Sequence, residues 1–219
     1  MAKMKVIIAQ ECSGVIRDAF LTRGHDAVSV DLQPTERPGP HLQCDIRSVN
    51  FTGVDLVIAH PDCTYLSNAG VRHFHIRRKN PGVLYCEERW TALEPACEHF
   101  RFFLTLPVPK IAIENPIPHG YAVQRIGRKY DQIIRPWQFG HEELKATCLW
   151  LVGLPKLEDT HNIGPPPVVN REPERYWKWA KVHYEPPGPE RAKNRSRTLP
   201  GIADAMADQW GNPKRSLFL

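Results

Sequence analysis

Residues 55–68, DLVIAHPDCTYLSN, constrain the chain more than any other stretch. The apolar run Leu56-Val57-Ile58-Ala59 has the length and β-branched content of a buried strand. His60-Pro61-Asp62 ends it, because Pro61 has no N–H to give to a ladder. Cys63 is thereby carried on a loop at the strand's carboxyl end, the edge where open α/β sheets collect ligands and chemistry. With Thr64 and Ser67 after it, Cys63 is a candidate nucleophile; the alternative is a small apolar filler, since free cysteine is among the most buried residue types.

The flanking sequence alternates strand and helix patterns. Residues 4–9 (MKVIIA) read as a first strand. A turn at Ser13-Gly14 leads into an amphipathic helix with Val15, Ile16, Ala19 and Phe20 on its apolar face and Arg17, Asp18 and Arg23 on its polar face, stopped by Gly24. Residues 27–32 (AVSVDL) make the second strand. A strand, glycine turn, helix and strand in about thirty residues commonly hold a nucleotide-like ligand at the helix N-terminus, and Asp31 is placed to hold ribose hydroxyls. A single glycine is equally compatible with a generic turn. A proline-rich loop over 33–41 leads to a short third strand end with Asp45 on a loop. Residues 87–106 carry helical periodicity through Trp90, Leu93, Cys97, Phe100 and Phe103, with a kink or restart expected at Pro95. Ile111-Ala112-Ile113 is a buried strand followed by Glu114-Asn115-Pro116, residues 147–152 (TCLWLV) are another strand, and a helix closes the chain from residue 200. Two neighbouring parallel strands would present Cys63 and Glu114 on one edge. A partly desolvated carboxyl there is expected to have a raised pKa and to donate a proton.

Composition narrows the class. Of the 219 residues 42% are hydrophobic and 24% charged, which suits one folded domain and excludes wholesale disorder. No apolar run approaches the ~18 residues of a membrane span, and the apolar run at the N-terminus is too short for a secretory signal. The six cysteines are scattered without a CxxC pair, so reduced thiols in a cytoplasmic protein are expected. His73 with His75, and Cys97 with His99, lack partners at metal-site spacing; no metal is expected. The net charge of +5 is concentrated between Arg171 and Arg197, where eight Lys or Arg stand against four Glu, interleaved with Tyr176, Trp177, Trp179 and Tyr184. Such a segment either neutralises phosphates and stacks on bases or is a solvated loop whose aromatics pack back on the core. Residues 69–85, with Arg72, Arg77, Arg78 and Lys79 and no acidic residue, suit a mobile phosphate-touching loop over the site or a solvated one.

In this order the motifs resemble those of the DNA (cytosine-5) methyltransferases, which use S-adenosylmethionine, over about residues 6 to 153. ECSGVIRDAF is similar to the family's first motif, which lies beneath the methionine part of the cofactor. Asp31 falls at the acidic ribose position, and CDI places Asp45 at the adenine contact. HPDCTYLS is similar to the Pro-Cys-Gln-x-x-Ser loop, IENP to the Glu-Asn motif, and FGHEELKATCLWL to the motif that runs through basic residues into a strand. The resemblance implies an α/β, Rossmann-like methyltransferase fold with a mostly parallel sheet flanked by helices. Residues 1–152 would be the catalytic core, 153–200 a short basic and aromatic insertion in place of a target-recognition region, and 201–219 a C-terminal helix completing the core. It assigns Cys63 as nucleophile, Glu114 as acid, and Asn115, Ser67 and Lys145 as their catalytic companions. It assigns the cofactor to Glu11, Cys12, Ser13 and Gly14, to Asp31 and Leu32, to Asp45 and Ile46, and to His60 and Pro61. DNA is expected on Arg72, Arg77, Arg78 and Lys79 and on Trp177, Lys178, Arg195 and Arg197. The family's proline before the nucleophile is Asp62 here, and Thr147 stands where a second arginine is usual. With a short recognition region, the expectation is a monomer that modifies cytosine in DNA with low sequence selectivity, as a phage or prophage would use. Two other readings stay open: the same chemistry on a free pyrimidine nucleotide, and a catalytically silent relative that binds nucleic acid or cofactor.

Overall fold

Strand β1 (Lys5–Ala9) sends Val6 and Ile8 to one side and Ile7 and Ala9 to the other, and all of them are buried. A strand apolar on both faces needs a layer on each side. The computed structural model, which describes residues 2–77, 83–188 and 190–212, supplies both layers. After β1 come α1 (Val15–Thr22), β2 (Asp26–Asp31), β3 (His41–Gln43), β4 (Leu56–Ala59), a hairpin of β5 (His75–Arg77) and β6 (Val83–Tyr85), and α2 (Glu87–Leu104). The chain continues through β7 (Lys110–Pro116), α3 (Gly120–Ile126), β8 (Gln132–Ile134), β9 (Thr147–Val152), α4 (Pro173–Trp179), α5 (Arg191–Ser196) and α6 (Pro200–Trp210). Seven strands form one sheet in the order β3-β2-β1-β4-β7-β9-β8, parallel except that β9 runs antiparallel to both of its neighbours. This is the expected α/β, Rossmann-like arrangement, a mostly parallel sheet flanked by helices. Helices α1 and α6 cover the face of Val6, Ile8, Leu56 and Ile58; α2 and α3 cover the face of Ile7, Val57, Ile111 and Trp150.

Strand order reverses between β1 and β4, so their carboxyl ends open a crevice in which neither crossover lies. The β1–α1 turn and the Cys63 loop flank that crevice. The parallel register of β4 on β7 ends at Ala59 opposite Ile113, whereas β7 continues on β9 with Glu114 opposite Leu149, Asn115 opposite Cys148 and Pro116 opposite Thr147. Glu114 and Asn115 therefore lie inside the strand, one step beyond β4.

Several sequence expectations change. Arg17, expected on the polar face of α1, is fully buried. Its guanidinium donates to Asp18 Oδ1 (2.9 Å), Ser29 Oγ (3.3 Å), Thr35 Oγ1 (3.1 Å) and the carbonyls of Arg37 (3.3 Å) and Pro38 (3.2 Å), which bind the proline-rich loop to α1. A side chain at Gly14, which caps α1 at φ 73°, would collide with that guanidinium, its Cβ standing 2.5 Å from Nη2. Pro95 does not break α2: it is exposed, so the carbonyl it leaves unbonded faces water. The segments 69–85 and 153–200 are not plain loops, since they carry the β5–β6 hairpin and helices α4 and α5. Helix α6 ends at Trp210, and 213–219 lie outside the described residues.

Replacing Arg17 by methionine is expected to cost about 2–4 kcal/mol, because buried carbonyls and hydroxyls lose their charged donor. Urea unfolding reads the loss, and limited proteolysis should show cutting within 33–40 in the variant first.

Candidate active site

The loop after β4 is fixed from several sides. His60 N–H donates to the Ala9 carbonyl (3.0 Å), extending the β1 ladder by one residue. Asn115 Nδ2 donates to the Pro61 carbonyl (3.0 Å), and Leu66 and Ser67 N–H both donate to the Cys63 carbonyl (3.1 and 3.0 Å). Segment 117–119, just past β7, clasps the far side. Asn68 N–H donates to Ile117 O (2.8 Å) and His119 N–H to Leu66 O (3.0 Å). The His119 ring accepts from Ala122 N–H at Nδ1 (3.1 Å), so its Nε2–H donates to Tyr65 O (2.7 Å). Arg89 on α2 donates to Thr64 O (2.9 Å) while its guanidinium lies over the Tyr65 and Phe74 rings. Cys63 is thus half-buried on a loop held by α2, β1 and both ends of the β7 extension.

Cys63 feels the charge of Glu114, and Lys145 acts on both. Burial pushes the Cys63 thiol up, Asp62 and then Glu114 add to this, and Lys145 opposes it. Asp62 is turned outward, where it accepts from Thr64 N–H (2.9 Å) and the Thr64 hydroxyl (2.6 Å), yet its charge still disfavours the thiolate. Glu114 corrects the expectation of a raised carboxyl. Burial pushes it up, but the His60 hydrogen bond, the Lys145 charge and the Thr147 hydroxyl outweigh burial, and the net direction is down. His60 Nδ1 stands 3.0 Å from Glu114 Oε2, with both side chains nearly buried.

The expected cofactor residues fall into two groups. Asp31, Leu32, Asp45 and Ile46 line one cavity of about 320 Å³, together with Gln10, Val30, Cys44, Arg47 and His99. Glu11, Cys12, Ser13 and Gly14 form the β1–α1 turn; the Ser13 hydroxyl bonds Glu11 Oε1, while Glu11 Oε2 is buried without a partner. His60 and Pro61 are elsewhere. They belong to the Cys63 loop, taken up by Glu114 and Asn115, and neither lines the cavity.

Of the residues expected on DNA, Trp177 and Lys178 are exposed on α4, and Arg72 is exposed in the turn before β5. The Trp177 ring meets Tyr176 and Tyr184 edge-on, each at 5.2 Å, whereas Trp179 is buried and its carbonyl accepts from Leu144 N–H (2.9 Å). Arg78 and Lys79 lie outside the described residues, as does the side chain of Arg77. Arg197 is not a free cation. It pairs with Glu36, as does Lys193 Nζ (3.1 Å), and the Arg195 carbonyl accepts from Lys145 Nζ (2.8 Å). The C-terminal half of helix α5 is thus tied both to the proline-rich loop and to the lysine beside Cys63.

Sequence reasoning missed Gln10, Arg47, His99 and Glu36. Gln10 is the one non-glycine residue at positive φ (58°) among the described residues, a conformation that costs on the order of 1–3 kcal/mol. Its N–H donates to Val30 O (2.7 Å) and its Oε1 accepts from His99 Nε2 (2.8 Å), leaving His99 Nδ1 to accept from Arg47 (3.5 Å). The available signal was position: Gln10 follows an apolar strand directly, as His60 does. Among the described residues no group of His, Cys, Asp or Glu could hold a metal ion.

Because the thiolate is the reactive form, Asp62→Asn is expected to speed alkylation of Cys63 at pH 8 by about 2–5-fold and Lys145→Met to slow it by a similar factor. Peptide mass spectrometry after iodoacetamide pulses reads each site. Cys97 and Cys148, pushed by burial up to about 11 and about 12, should stay silent.

No protein-family model matches the chain, and no curated protein does. Among solved structures it is similar to that of a candidate DNA modification methyltransferase encoded within a prophage (E. coli), at 13% identity and a TM-score of 0.43. The match covers 68% of this chain and 46% of that one, so the chain spans less than half the length of that protein.

Proposed function

We propose that this protein methylates carbon 5 of cytosine in DNA, with S-adenosylmethionine as the methyl donor. The observation that carries the reading is the convergence of a loop thiol, a buried carboxylate and a lysine at the sheet's switch point, beside an acid-lined cavity. The residues present fit the cofactor. Glu11 Oε2, buried and unpartnered, suits an α-ammonium group; Asp31 suits ribose hydroxyls; Asp45, one of whose oxygens caps the turn at Arg47 N–H (2.9 Å), can take an adenine amino group on the other. When bound, S-adenosylmethionine supplies a methyl group on a positively charged sulfur.

Cytosine carbon 5 is a weak nucleophile until the ring is made an enamine. Cys63 sulfur forms a bond to carbon 6 while Glu114 hydrogen-bonds ring nitrogen 3. The free protein holds a protonated thiol and an ionised carboxyl, so the addition moves one proton from sulfur through Glu114 to nitrogen 3 and leaves the site's charge unchanged. Lys145 stabilises negative charge at either end of that transfer. Once carbon 5 carries the methyl group, loss of its proton to water, cleavage of the bond between Cys63 sulfur and carbon 6, and return of the nitrogen 3 proton through Glu114 to that sulfur restore the aromatic ring. The base must leave a duplex to reach Cys63, and exposed Trp177 and Tyr184 beside Lys178 and Lys181 suit stacking and phosphate contact. Asp62 favours a second reading, a catalytically silent relative, because its charge adds to the burial that raises the thiol's pKa.

Incubation with DNA and S-adenosylmethionine should yield 5-methylcytosine, identified as the nucleoside by mass spectrometry, and Cys63→Ser should abolish it. Label on mononucleotides alone would redirect the reading to nucleotide modification, and cofactor binding without transfer to any substrate to a silent relative. Lys178→Ala with Lys181→Ala is expected to reduce the slope of log K against log salt by about 0.7–0.9 per lost phosphate contact. An unchanged slope would remove α4 from the DNA surface.

A further inference from the structure

Thr147 faces Glu114 from β9 with a hydroxyl but no charge. The groups around this carboxylate are His60 from the β4 loop, Lys145 from the segment before β9, Thr147 and Cys148 on β9, and Cys63 across the crevice. Two side chains hydrogen-bond the carboxyl, the Thr147 hydroxyl and the His60 ring, whose Nδ1 stands 3.0 Å from Oε2. Its backbone is locked by the bond to Ala9 O, and its Nε2 is buried without a partner, so among the described residues the carboxyl is the ring's single hydrogen-bond partner. An imidazole so placed has no surface role and no structural bond to make apart from this one.

We propose that His60 is a positioning residue for Glu114: its Nδ1–H, together with the Thr147 hydroxyl, fixes the rotation of the carboxyl. The inference rests on the cytosine-methylation reading for its consequence in turnover, but the contact itself does not. A carboxyl held by the ring keeps the plane in which it must meet nitrogen 3. Without the ring only the Thr147 hydroxyl and the Lys145 charge remain to hold it. The ring's Nδ1–H tautomer is imposed by the carboxylate, since an unconstrained neutral imidazole carries its proton mainly on Nε2.

The test uses the full chain. Nitrogen-15 spectra of the imidazole should show Nδ1 protonated in the wild type and Nε2 protonated in Glu114→Ala, and the Glu114 carboxyl, followed by carbon-13 NMR, should titrate at higher pH in His60→Ala. In turnover, His60→Ala should lower kcat at least tenfold with KM for DNA and for S-adenosylmethionine within about twofold. His60→Asn, whose Nδ2 can stand where Nδ1 stood, should recover most of the rate. An Nε2–H tautomer in the wild type would overturn the proposal, as would equal losses in the alanine and asparagine variants with the Glu114 titration unmoved. Both spectra are read without substrate, so a wild-type protein that transfers no methyl group but shows Nδ1–H would sink the methylation reading and leave this contact standing.

Discussion

The site depends on a mismatch in strand length. Strand β4 stops at Ala59 while its neighbour β7 runs on to Pro116, supported from the other side by antiparallel β9. In the gap beyond Ala59, Glu114 and Asn115 find no strand, only the loop of His60, Pro61 and Cys63. Asn115 then bonds the Pro61 carbonyl and Glu114 meets His60. A parallel strand on that side would have displaced this loop, and a one-residue slip of β7 would send the Glu114 side chain to the opposite face of the sheet, away from His60. Insertion of β9 in the opposite sense is what lets β7 be long where β4 is short.

Charge in the crevice is arranged around Lys145. It lies near both Glu114 and Cys63, and its ammonium also donates to the carbonyl of Arg195 at the end of α5. The other attachment of α5 is Glu36, whose backbone N–H donates to Cys12 O (2.8 Å) in the β1–α1 turn. One short helix thus reaches the sheet's crevice both at the β1–α1 turn, through Glu36, and on the thiol side, through Lys145. Basic residues there balance specific partners, Lys193 and Arg197 against Glu36, rather than forming an open cationic face. The solvent-facing cations and aromatics belong to α4 instead.

What was legible in the sequence was local. Runs such as Leu56–Ala59 and Ile111-Ala112-Ile113 are apolar because both faces of a parallel strand are covered, and the residues that interrupt them are the ones that meet at the candidate site. Helix α3 and strand β8 were not read, because seven and three residues give too few periods to register. Arg17 was misplaced for a different reason. Helical spacing marks a charged residue as solvent-facing, and only a distant loop folding back with the carbonyls of Arg37 and Pro38 could bury it.

The charge state of Glu114 was the least legible feature, and its cause generalises. Burial alone argues for a neutral acid, and from the strand pattern burial is all that can be read. The opposing terms come from His60, Lys145 and Thr147. His60 and Lys145 stand 54 and 31 residues from Glu114 along the chain, and the neighbouring ends of β4, β7 and β9 bring them together; Thr147 enters through its pairing opposite Pro116. A pattern of apolar runs says which residues will be dry. Whether a dry carboxyl is charged is decided by what neighbouring strand ends bring, and here they bring an imidazole, an ammonium and a hydroxyl to one acid.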